Sequence, residues 1–136
     1  MRPAFKGRTV MCGPHRWEAE YPILDAREVD GCVCLVLDYS KFFPRWRQAR
    51  NLRGFTAQGQ PLWIAEHPTS EKTDCYTAFL DKGGLLAVIA EDPGGPVAQC
   101  FAGFLDQNYV LVYNFAGYQC LVDPVSGKLI RAFFSK

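Results

Sequence analysis

The sequence predicts an all-β fold. A single domain of about nine short antiparallel strands is expected, as a twisted meander, a sandwich or a partial-propeller-like sheet. Three observations predict it. A phrase recurs: residues 51–64 (NLRGFTAQGQPLWI) and 118–130 (YQCLVDPVSGKLI) each place a glycine between two apolar runs. A hairpin needs a residue that tolerates positive φ at such a point. Turn signals also punctuate the apolar runs about every eight to twelve residues. Finally, no segment keeps a 3.6-residue apolar period for more than about two turns.

Taken in order, residues 1–14 form an irregular N-terminal segment. Residues 16–23 set Trp17, Ala19, Tyr21 and Ile23 against charged or constrained positions, the alternation of a half-buried strand. Residues 24–30 read as a short polar connection. Residues 32–37 are continuously apolar, a strand buried on both faces. Residues 38–50 differ in kind: Tyr39, Phe42, Phe43 and Trp46 interleave with Lys41, Arg45, Arg47 and Arg50 around Pro44. That stretch is too irregular for a strand, and Pro44 disfavours a long helix.

The first hairpin spans 50–57 and 61–66, and a polar loop covers 67–74. Residues 75–80 and 85–90 read as strands around a turn at 81–84, and 91–96 (EDPGGP) is the strongest breaker in the chain. Strands are then expected at 97–105, 109–115, 119–122 and 128–134. A propeller blade takes about 40 residues and a closed propeller at least four blades. A chain of 136 residues is too short to close one.

Bulk properties narrow the function. At this length one core buries roughly 68% of the unfolded surface without metals or staples, and 49% hydrophobic residues exclude a disordered chain. A net charge of +1 lacks the basic field that nucleic-acid binding needs, so no nucleic-acid partner is expected. The N-terminal residues lack a signal-peptide pattern, and no run approaches the ~20 apolar residues of a membrane span. A cytoplasmic protein without a membrane partner is expected. The cysteines at 12, 32, 34, 75, 100 and 120 mostly lie in apolar strand patterns and read as reduced, buried thiols. Cys32-Val33-Cys34 has the wrong spacing for zinc and no second ligand pair. No metal and no other cofactor is expected.

No catalytic set emerges. His67, near Asp74 and Cys75, is the one arrangement that resembles a base beside a nucleophile. Its plain reading is a turn histidine. The double glycines at 83–84 and 94–95 lack the helix and lysine of a phosphate loop. Asp25, Glu28 and Asp30 do not keep the spacing of a calcium loop. The aromatic and arginine cluster of 39–50 has three readings: a stacking platform for single-stranded nucleic acid, a protein-binding hot spot, or a plug folded onto one end of the sheet.

Three phrases carry a resemblance: Tyr21-Pro22-Ile23, the N-L-x-x-F-x-x-x-G-x-x-L-W hairpin at 51–63, and D-x-x-S-G-K at 123–128 followed by aromatics and a terminal lysine. Over residues 16–136 the chain resembles small bacterial all-β proteins similar to immunity proteins encoded beside polymorphic toxins. The resemblance implies a non-enzymatic antitoxin that occludes the active site of a cognate toxin. Candidate contact residues are Phe43, Arg45, Trp46 and Arg47, with Glu91 and Asp92 as a second, acidic loop. Two other readings stand beside it: a small-molecule or nucleotide-binding β domain with weak hydrolase activity through His67 and Cys75, and a self-associating module whose homodimer covers open sheet edges.

Overall fold

A computed structural model describes residues 3–41, 49–70, 74–101 and 103–134. Among them are 11 strands and two short helices, so the fold is all-β as expected. The strands are β1 (Ala4–Lys6), β2 (Thr9–Cys12), β3 (His15–Glu18), β4 (Ile23–Val29), β5 (Cys32–Leu37), β6 (Leu52–Phe55), β7 (Pro61–Ile64), β8 (Tyr76–Phe79), β9 (Val110–Asn114), β10 (Tyr118–Val122) and β11 (Leu129–Phe134). They form three antiparallel meanders: β1-β2-β3, β4-β5-β6-β7 and β8-β9-β10-β11.

The three sheets stack, and β5 shows how. Its side chains alternate between two cores. Cys32, Cys34 and Val36 join Trp63 of β7 and Tyr76, Val110, Val112 and Cys120 of the third sheet. Val33, Leu35 and Leu37 join Val10 and Cys12 of the first sheet. The middle sheet therefore has a neighbour on each face, and β5 is buried throughout. Leu111 and Leu121 point out of the stack into a third core. That core is roofed by α1 (Lys82–Glu91) and α2 (Pro96–Phe101).

Several expectations give way here. Residues 85–90, and the described residues of 97–105, do not form strands. Asp81 caps α1 by accepting from the amides of Gly83 and Gly84, which satisfies the first orphan donors of a helix. Pro96 opens α2, where its missing N–H costs nothing. Residues 24–30 are not a connection: they belong to β4, which turns into β5 through Asp30 (φ 51) and Gly31 (φ 81). The expected strand at 16–23 is split between β3 and β4. The N-terminal segment is not irregular either, since two-residue turns at Gly7-Arg8 and Gly13-Pro14 fold it into β1, β2 and β3. The hairpins β6–β7 and β10–β11 form as expected.

The recurring phrase has a structural meaning. The β6–β7 turn holds Gly59 against Trp17, so close that a Cβ there would stand 2.6 Å from the indole. The Trp17 Nε1–H donates to Ala57 O at 2.9 Å. One layer further, the β10–β11 turn holds Gly127 against Trp63, again with a notional Cβ at 2.6 Å. The Trp63 Nε1–H donates to Pro124 O at 2.8 Å. Each sheet's last strand thus docks a tryptophan onto the last turn of the next sheet. Gly13 and Trp17, Gly59 and Trp63, and Gly127 and Arg131 all keep the same spacing. The third position faces no further sheet, and Arg131 lies over the Phe104 ring at 5.0 Å.

Candidate functional site

The expected contact residues divide into two sets. Phe43, Arg45, Trp46 and Arg47 lie outside the described residues. Glu91 is the last residue of α1 and Asp92 its C-terminal cap, with the Asp92 N–H donating to Val88 O. Both are exposed, so the chain's acidic pair stands on the helical layer. No basic residue occupies the last turn of that helix, so these carboxylates meet the negative end of its dipole uncompensated.

His67 and Cys75 are not arranged as base and nucleophile. The loop after β7 turns the imidazole inward, where it stacks on Tyr76 at 4.5 Å between centroids. Its Nε2–H donates to Ala49 O at 2.6 Å, since a carbonyl oxygen only accepts. Nδ1 is left buried without a hydrogen bond, 3.9 Å from Asp74 Oδ2. Burial pulls the imidazole below its ordinary value, against the opposing pull of Ala49 O and Asp74. Burial, and then Asp74, push the Cys75 thiol up to about 11. The reactive form of a cysteine is the thiolate, and at neutral pH this one is held as the thiol.

The surrounding polar groups are occupied with holding backbone. The Asp74 carboxylate accepts from Thr69 Oγ1 (2.7 Å), Asn114 Nδ2 (2.9 Å), the Cys75 amide (2.9 Å) and the Ala116 amide (3.3 Å). Asn51 donates to Leu37 O and Tyr76 O and accepts from the Tyr76 amide. Tyr76 donates its hydroxyl to Glu66 O. This network ties the loops at one end of the middle and third sheets together, as a buried polar cluster must when its groups are satisfied. Among the described residues no three His, Cys, Asp or Glu side chains could hold a metal ion, and the described cysteines are free, five of them buried.

The accessible feature is a cleft of about 500 Å³ between the first and middle sheets. It exists because the two sheets are offset by one strand. Val10 and Cys12 of β2 share a core with β5, and the Trp17 ring of β3 meets Phe55 of β6 at 5.0 Å. The face of β7 then lies past the edge of β3, and Leu62 and Ile64 each remain 50% exposed. Glu18 and Glu20 line the rim of the cleft with Arg53, which is paired to Glu20 at 3.1 Å. Phe55 and Trp17 also line it.

A second cavity, of about 390 Å³, lies between β4, β8 and the 108–111 stretch. Three of its polar residues are already engaged: Asn108 Nδ2 donates to Asp30 Oδ1 at 2.9 Å and Lys82 Nζ donates to Gln107 O, outside the cavity, at 3.4 Å. The first cleft is the apolar one with an open strand beside it. Sequence reasoning missed it. Leu62 and Ile64 were legible as hairpin residues, but their exposure depends on the offset of a sheet whose first two strands were not expected.

None of the helices among the described residues is long and apolar enough to cross a membrane. No curated protein and no solved structure matches the chain. The chain belongs to the family described as Domain of unknown function (DUF7957), which matches residues 2–92, a stretch that contains both walls of the cleft.

Proposed function

We propose that this protein is a non-enzymatic binding module that acts in the cytoplasm by covering a site on another protein, and that its partner is a cognate bacterial toxin. One observation carries the binding part of this reading. The described surface offers an apolar cleft beside an unpaired strand, while Asp74, Asn51 and Tyr76 are engaged in structural hydrogen bonds. Occlusion needs no reactive group. It needs a rigid face, a few buried anchors and a satisfied polar rim. The stacked sheets supply the rigidity.

The toxin part rests on the resemblance of residues 16–136 to immunity proteins. The anchors are Phe43, Arg45, Trp46 and Arg47, residue types enriched in hot spots. Glu91 and Asp92 present negative charge to a basic cleft. The test is co-expression with the product of the adjacent gene. Co-purification and restored growth are expected. A lone gene with no toxin neighbour, or no growth protection, removes the antitoxin reading.

A further inference from the structure

The geometry points to the cleft beside β3 as a slot for one extended segment of a partner protein, taken up by antiparallel pairing with the β3 edge. This deepens the binding reading above and rests on it.

In the two larger sheets every edge strand is broken by a register shift against its neighbour: β4, β7, β8 and β11 all carry one. Such bulges are a standard way to prevent edge pairing. The inner pairs β5–β6 and β9–β10 have none. At the edges of the first sheet, β1 is three residues long. β3 is a regular four-residue strand without a bulge, proline or lysine. It is the one edge of more than three residues among the described strands that carries no register shift.

The turn Gly13-Pro14 closes on the pair Cys12–His15. Antiparallel alternation then points the N–H and C=O groups of His15 and Trp17 at β2, and those of Arg16 and Glu18 away from it. The bond from the Ala19 amide back to Arg8 O continues that alternation. A new strand therefore meets the amides and carbonyls of Arg16 and Glu18.

A strand paired with β3 lies over the bare face of β7, so its alternate residues land on Leu62, Ile64 and Phe55 and must be apolar. The residues between them sit on the exposed face, opposite Arg16 and Glu18. Opposite charges favour such cross-strand pairs. The segment that fits reads apolar, base, apolar, acid, apolar from its N-terminus, with the base opposite Glu18 and the acid opposite Arg16. A second copy of this chain does not fit: pairing β3 with β3 would drive the partner's middle sheet into the overhanging β7.

The probe is the blocked pentapeptide Val-Lys-Val-Glu-Val, with Val-Glu-Val-Lys-Val as its control, titrated into the full chain and followed by amide NMR. The expected result is saturable shifts at Arg16 to Glu18 and at Leu62 and Ile64, with the first peptide bound about tenfold tighter, as two charge pairs allow. The double variant Arg16→Glu, Glu18→Arg should reverse the preference. Glu18→Pro removes an outward N–H that bonds nothing in the protomer, and Leu62→Lys alters an exposed side chain. Both should fold, shown by an unchanged spectrum elsewhere, and both should weaken the first peptide by about tenfold. Equal affinity for the two peptides, shifts confined to other surfaces, or no saturation at millimolar peptide would overturn the slot. The two readings also fail separately. If a toxin co-purifies equally with wild type, Glu18→Pro and Leu62→Lys, the slot falls and the binding function stands. If no toxin is neutralised but the peptide binds as described, the antitoxin reading falls and the slot stands.

Discussion

The two tryptophan-on-glycine joints use the same parts and end in different states. Trp63 is sealed. Its indole lies between Gly54 on its own sheet and Gly127 on the next, and it keeps 8% of its surface. Trp17 rests on Gly59 alone and stays half-buried beside the cleft. One joint closes the core between two four-stranded sheets. The other joins a four-stranded sheet to a three-stranded one and leaves a strand's width uncovered. A repeated docking element thus holds the stack together at one layer and leaves an apolar face open at the next. What differs is the number of strands above it.

The largest effect should come from removing the sealed indole. Trp63→Ala is expected to cost about 3–5 kcal/mol, the range for a large aromatic lost from a packed core. Trp17→Ala should cost about 2 kcal/mol, because part of its surface is already in water. Denaturant unfolding of the two variants measures both. Equal losses would break the comparison.

Next come the glycines. An added Cβ at Gly54 would stand 2.2 Å from Trp63 Cε2, and the indole has nowhere to retreat. Gly54→Ala is expected to cost about 1–3 kcal/mol by overpacking alone. Gly127→Ala adds to such a clash the strain of φ +73, worth about 1–2 kcal/mol in a non-glycine residue. Gly59→Ala carries similar strain, at φ +92, but Trp17 can swing toward the cleft. It should lose about 1–2 kcal/mol, chiefly from φ. A double-mutant cycle sharpens this. Trp63→Leu should rescue part of Gly127→Ala, and Trp17→Leu should rescue little of Gly59→Ala.

Much of this architecture was legible and some was not, for physical reasons. The all-apolar run of β5 announces burial on both faces because nothing polar interrupts it. The hairpins β6–β7 and β10–β11 announce themselves because their turns need positive φ and carry glycine. Asp30-Gly31 is an equally strong hairpin signal, yet the charges of Asp25, Arg27 and Glu28 disguise β4 as a connection. α1 escaped because it has no polar face: Leu86 and Val88 are exposed while Leu85 is buried, so no helical period appears. Asp81 ahead of Gly83 and Gly84, and Pro96 after Gly95, are helix start signals that read equally well as turns. The cleft was not legible at all. It comes from how far one sheet overhangs another, and no local pattern encodes that. Within the expected site, Glu91 and Asp92 sit on the helical layer rather than beside the cleft's rim.

The smallest effect concerns acid. The sealed interface ends in a buried imidazole, and the open one has no such group among its lining residues. Burial lowers the affinity of His67 for a proton in the folded chain, whereas the unfolded chain titrates near the ordinary pKa of about 6.5. The unfolded state therefore binds more protons in this window, and stability rises with pH. The contribution from His67 is fully present above about pH 6.5 and is lost as pH falls below it. His67→Gln, which can still donate to Ala49 O, should flatten the fall in stability between about pH 7 and pH 5 relative to wild type. Trp17→Leu, in a core that His67 does not enter, should leave the His67 part of that slope unchanged. Thermal melts across the range read both slopes. If His67→Gln kept the wild-type slope, the imidazole would not be the group that couples the sealed joint to acid.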